Sequence, residues 1–76
     1  MEFDFENLKR RIVNEYGSHT AFAVAAGFSP LYLAERLSNW EPFTMTEIRW
    51  IARLLDISGD QIELYFFTPK FDKIEP

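Results

Sequence analysis

Histidine occurs once in this chain, at His19, and cysteine does not occur at all. Nucleophile–imidazole pairs and soft metal sites therefore lack their parts. The twelve Asp and Glu residues are scattered, and none forms a pair with a derivable pocket for general acid–base work. A glycine-rich phosphate loop is missing as well. At the start of a predicted helix, His19 is expected to be a surface residue. The sequence thus predicts no catalytic residue, no metal ligand, no cofactor and no small-molecule substrate, and the protein reads as a binding protein rather than an enzyme. What remains is recognition, either by hydrogen-bond donors that match base edges or by apolar and aromatic side chains that fit a protein surface.

Composition bounds both. The 76 residues allow one domain at most, and a chain this short buries only ~60% of the surface its unfolded form exposes. Hydrophobic residues make up 47% of it, including eight Phe, two Trp and three Tyr, which is ample for a core and too apolar for disorder. Eight Lys and Arg against twelve Asp and Glu give a net charge of −4. A duplex-binding protein commonly places basic groups on ~6–10 phosphates, so this chain would approach DNA through a repulsive long-range field. Met1 to Asn7 carry no apolar stretch of a secretory signal, and no apolar run approaches the ~20 residues of a membrane span. With no cysteine, a cytoplasmic setting without membrane contact is expected.

Punctuation at Gly17, Gly27, the Asn39–Pro42 stretch and Thr68-Pro69 divides the chain into helical pieces. Helix one is predicted over about Phe5 to Tyr16, capped by Asp4, with a Phe3–Leu8 staple and an apolar stripe of Phe5, Leu8, Ile12 and Tyr16. Helix two runs from about His19 to Ala26 between Ser18 and Gly27, with Phe22, Ala23 and Ala26 inward. Helix three spans about Pro30 to Ser38. Ser29 is its cap, Pro30 sits where no N–H is needed, and Leu33 and Leu37 face the core. Helix four covers about Met45 to Leu55 behind a Thr44–Glu47 capping box, with Ile48, Ile51, Ala52 and Leu55 as its stripe. Helix five covers about Gly59 to Phe66, with a Ser58–Gln61 capping box and an Ile57–Ile62 staple. The tail from Thr68 to Pro76, with Phe71 and Ile74, is expected to be extended, and it packs on its own core or seals a dimer.

The informative segment is Ser18 to Asn39. Ala23 lets two helix backbones approach, Gly27 permits a tight turn, and Phe28, Leu33 and Leu37 pin the second helix across the first. These are the requirements of a helix-turn-helix, and equally of a plain helical hairpin with glycine in its turn. The opening FDFENLKRRIVNEYGS, the turn FAVAAGFS, the entry PFTMTEI into helix four and the late LYFFTPK add something more specific. In this order they resemble the short Cro-like helix-turn-helix proteins of temperate phages of Gram-positive bacteria. The resemblance covers nearly the whole chain. It implies an all-α, five-helix Cro/repressor-like domain over residues 1–76, and a role in the lysis–lysogeny decision. Some such proteins resemble operator-binding Cro repressors, and others resemble modulators of repression, which bind the phage's own repressor.

The outer side of helix three discriminates between these. Its positions are Ser29, Pro30, Leu31, Ala34, Glu35 and Ser38. A base-reading surface wants Arg, Lys, Asn or Gln, whose donors match base edges in pairs. Glu35 can accept from a cytosine amino group and Leu31 can touch a thymine methyl, yet phosphates repel Glu35. His19 stands where the family usually has Gln, and Val24 where a polar residue is expected. Ser38-Asn39-Trp40 and Glu41 replace a common Asn-Gly-Lys, so a phosphate-contacting cation is lost. Val24, Leu31, Tyr32, Glu35 and Trp40 are therefore the predicted protein-partner face, although each of the aromatics alone would suit a core. A phage repressor is the first candidate partner, and a host defence protein the second. The alternative is a Cro-like repressor that binds double-stranded DNA as a homodimer, using Ser29, Arg36, Arg49 and Lys9. The Lys9-Arg10-Arg11 cluster otherwise reads as a solvated helix face.

Overall fold

A computed structural model describes residues 2–70. Five α-helices follow one another: α1 (Glu6–Tyr16), α2 (His19–Ala26), α3 (Pro30–Leu37), α4 (Met45–Leu54) and α5 (Ile62–Phe66). α1 packs on α2 and α5, and α2 packs on α3 and α4, so α2 is the hub of the bundle. The apolar stripes converge on one core, in which Leu8, Ile12, Phe22, Ala23, Ile51 and Leu55 are fully enclosed. No helix among the described residues is long and apolar enough to cross a membrane.

The helix ends explain the boundaries. Ser18 accepts the Ala21 N–H, Ser29 accepts the Tyr32 N–H, and Thr44 with Glu47 forms a complete capping box. At the C-terminal ends, left-handed residues let the chain fold back onto its last carbonyls. Gly27 (φ 84°) ends α2, with the Phe28 N–H donating to the Ala23 carbonyl at 2.8 Å. Asn39 (φ 68°) does the same for α3 through Trp40 and Glu35 (2.9 Å), and Asp56 (φ 56°) for α4 through Ile57 and Ala52 (2.8 Å). All three are Schellman motifs. Asn and Asp tolerate the left-handed region better than other residues that carry a β-carbon, which is why two of the three turns dispense with glycine.

Several details differ from expectation. α1 begins at Glu6, because Asp4 accepts the Glu6 N–H at 2.8 Å and Phe5 is drawn into the core. Phe3 packs edge-on against Phe67, 5.4 Å between ring centroids. Helix five is split into a 3₁₀ turn (Gly59–Gln61) and α5, since the Ser58 hydroxyl turns to the Asp60 and Gln61 side chains instead of capping the backbone. The tail's first residues are extended and tied to the N-terminus: the Asp4 N–H donates to Thr68 (2.7 Å) and the Lys70 N–H to Glu2 (3.0 Å). On its other edge, Phe3 is held by the Asn39 amide, which accepts the Phe3 N–H and donates to the Phe3 carbonyl, both at 2.9 Å. Phe71 and Ile74 lie outside the described residues.

Candidate protein-partner surface

α3 presents three stripes, set by its 3.6-residue period. Leu33 and Leu37 are buried against the bundle. Leu31, Ala34 and Ser38 are exposed and Glu35 is half-buried beside them. Between the two lies the pair Tyr32 and Arg36, four residues apart, and here the structure corrects the sequence reading. Tyr32 does not belong to the open face. Its ring stacks on Phe28 (5.5 Å) and its hydroxyl donates to Glu47 at the start of α4. Arg36 lies over the Tyr32 ring at 3.9 Å, with Nε 3.8 Å from Glu47, and its side chain is only 13% exposed.

Glu47 is thus shared by two tasks. One oxygen accepts the Thr44 N–H at 2.9 Å and completes the cap of α4, and the other accepts from Tyr32. Burial pushes the Glu47 carboxyl up, but hydrogen bonds from Tyr32 and Thr44 and the nearby Arg36 charge outweigh it, so it titrates below its ordinary range. The same hydrogen bond, reinforced by burial, holds the Tyr32 phenol above its ordinary range. The cluster fastens α3 to α4 and fixes which side of α3 remains free.

Three large apolar side chains of the α2–α3 region stand open to water. Val24 on α2 is 68% exposed, Leu31 near the start of α3 is 69% exposed, and Trp40 just beyond its end is 75% exposed. α3 has eight residues, a span of about 12 Å, so Leu31 and Trp40 bracket it. Trp40 is placed by the Asn39 turn, whose side chain is anchored on the N-terminal segment. No ring lies near the Trp40 indole among the described residues, whereas Phe28, Phe43 and Tyr16 all have aromatic neighbours.

Three of the four positions named for DNA have partners within the protein. Arg36 is committed to Tyr32 and Glu47. Lys9 pairs with Glu6 at 3.5 Å, in a hollow it shares with Asp4, Ser38 and Asn39. Ser29 accepts the Tyr32 N–H as a helix cap. Arg49 is exposed on α4 and makes no ion pair among the described residues.

Two structural residues escaped the sequence reading. Arg11 is no solvated cation. It bonds Glu15 (2.6 Å), the Tyr65 hydroxyl (2.9 Å) and the Leu55 carbonyl (2.7 Å), and so clamps α1 to the end of α4. The Trp50 indole donates to the Ala26 carbonyl at 2.9 Å and caps α2 from α4. Both satisfy orphan carbonyls at helix ends, and no local sequence signal marks such partners. His19 is half-buried rather than on the surface, with a shielded Nε2 that finds no hydrogen-bond partner among the described residues.

This arrangement has a counterpart among solved structures. The solution structure of the modulator of repression of the temperate bacteriophage TP901-1 from Lactococcus lactis matches with a TM-score of 0.79 and 27% identity, over 88% of this chain and 90% of that one. The chain therefore has the all-helical fold of a phage regulatory protein. No curated protein matches it. Residues 1–69 match the family described as proteins of unknown function (DUF739), and the chain belongs to that family.

Proposed function

We propose that this chain is a non-catalytic, cytoplasmic phage regulator that works by gripping a protein partner. A phage repressor is the first candidate, and a host defence protein the second. Val24, Leu31, Glu35 and Trp40 form the contact, and Tyr32 and Arg36 hold α3 in place behind it. The observation that carries this reading is the exposure of Val24, Leu31 and Trp40 in the α2–α3 region, where the exposed positions of α3 itself (Pro30, Leu31 and Ala34) carry no Arg, Lys, Asn or Gln. Large apolar and aromatic side chains in that setting suit the centre of a protein interface, whereas base edges call for donors in pairs. The net charge of −4 and the engagement of Arg36 and Lys9 work against a helix-turn-helix that reads operator DNA. The likeness to a modulator of repression supports a repressor as partner.

Titration calorimetry with the repressor encoded by the same phage tests the proposal. A stoichiometric complex is expected, and Leu31→Asp should abolish it while leaving the circular dichroism spectrum unchanged. The rival reading is tested by a gel shift on the DNA flanking the gene. Tight, salt-sensitive binding to one site there, with no repressor complex, would overturn the proposal in favour of a Cro-like repressor.

A further inference from the structure

A second surface stands apart from α3. Between α4 and the turn that leads into α5 runs a shallow groove of about 490 Å³. Its walls are aliphatic, with Met45, Ile48, Ala52, Ile57 and Ile62 contributing, and no carboxylate among the described residues lines it. Met45 is 61% exposed, so part of this apolar surface is left open to water. Arg49 and Arg53 stand on its α4 side, one helical turn apart.

Most cations of the described residues outside this groove are paired, the exception being Arg10, which bonds the Asn7 side chain. Lys9, Arg11, Arg36 and Lys70 each lie within ion-pair distance of a carboxylate. Arg49 and Arg53 have no such partner among the described residues, although acidic residues outnumber basic ones in the chain. Two adjacent unpaired cations beside an apolar floor make a surface with definite complementarity. Phosphates would use the cations but gain nothing from the floor, and a purely apolar ligand would leave the cations facing it unanswered. A polypeptide segment with aliphatic residues on one side and carboxylates along the edge uses both.

From this we infer that the α4–α5 groove is a docking surface for an acidic amphipathic segment of a protein partner, seated on Met45 and Ile62 and held at its edge by Arg49 and Arg53. The surface is separate from Val24, Leu31 and Trp40, so it gives the protein a second grip whichever molecule α3 engages. Because the net charge of the chain is −4, an acidic segment is repelled elsewhere, and binding depends on these two arginines.

The test is a selection of displayed random peptides, about four helical turns long, on the full chain. The peptides enriched should be net acidic with aliphatic residues at helical spacing. Amide shifts in the labelled protein should fall on Met45, Arg49, Arg53, Ile57 and Ile62. Binding should weaken by about ten-fold or more in the R49E/R53E double variant, as two charge contacts reverse sign. Both arginines are exposed, so the variant should keep its spectrum and melting temperature. If it does not fold, the R49Q/R53Q pair gives the same reading through loss of salt dependence. Enrichment of neutral or basic peptides, no enrichment, shifts confined to α3, or unchanged affinity in the folded variant would overturn the inference. So would duplex DNA that shifts the groove residues more strongly than any selected peptide. None of these outcomes depends on whether the repressor binds α3.

Discussion

Asn39 joins the fold to the proposed contact, and its replacement makes a quantitative test. Its amide forms two hydrogen bonds with the Phe3 backbone, and its own backbone sits at φ 68°. Asn39→Ala removes both bonds, at about 0.5–1.5 kcal/mol each. It also places alanine in the left-handed region, which costs about 1 kcal/mol more. The sum is about 2–4 kcal/mol, a large part of the ~5–15 kcal/mol that stabilises a typical domain. In a domain of this size each kcal/mol lowers the melting temperature by about 4–8 °C, so the loss should be roughly 10–30 °C. Asn39→Gly loses the same bonds but adopts the left-handed turn freely, and should be milder by about 1 kcal/mol. Urea unfolding followed by far-UV circular dichroism measures both. An alanine variant within about 0.5 kcal/mol of wild type would refute the bridge to Phe3. A glycine variant at least as damaged as the alanine variant would refute the role of the turn.

Acid should loosen the α3–α4 junction. The folded Glu47 carboxyl titrates below its ordinary value of 4.5, so its stabilisation is complete above that pH and is lost as pH falls through the lower folded value. Tyr32→Phe removes a donor to the carboxylate and should shift acid unfolding to higher pH; coincident acid titrations of the two proteins would contradict the assignment. Trp50→Phe deletes the bond to the Ala26 carbonyl and should cost about 1 kcal/mol in thermal melts, and an unchanged melting temperature would show that the cap is idle. Leu31→Asp and Trp40→Ala alter exposed side chains and should stay within about 0.5 kcal/mol of wild type. Trp40→Ala should nevertheless weaken partner binding by about 2 kcal/mol, or about 30-fold.

The parts legible in the sequence are those decided by neighbours in the chain. α2 runs from His19 to Ala26 as expected, because the Ser18 cap and the Gly27 turn act within one helical turn of the ends they set. The capping box at Thr44 was readable for the same reason. Tyr32 was misplaced because its orientation depends on Glu47, fifteen residues further on, and on how the intervening loop returns the chain. Arg36 followed it, since the guanidinium settles over the ring. Arg11 and Trp50 reach carbonyls of Leu55 and Ala26, which any sequence would supply, so only the packing of α1 and α2 against α4 selects them. Of the predicted partner face, Val24, Leu31 and Trp40 are open and Glu35 is half-buried. Exposure at Val24 and Leu31 was legible because they lie off the buried stripes of α2 and α3.

Trp40 offers the most direct measurement of the central claim. In a Trp50→Phe background it is the only tryptophan, and at 75% exposure its emission should be that of an indole in water. Adding the repressor from the same phage should shift that emission to the blue and shield the indole from a soluble quencher, with a midpoint equal to the calorimetric dissociation constant. A repressor complex that forms while Trp40 stays fully quenchable would contradict the account, and so would shielding produced only by operator DNA.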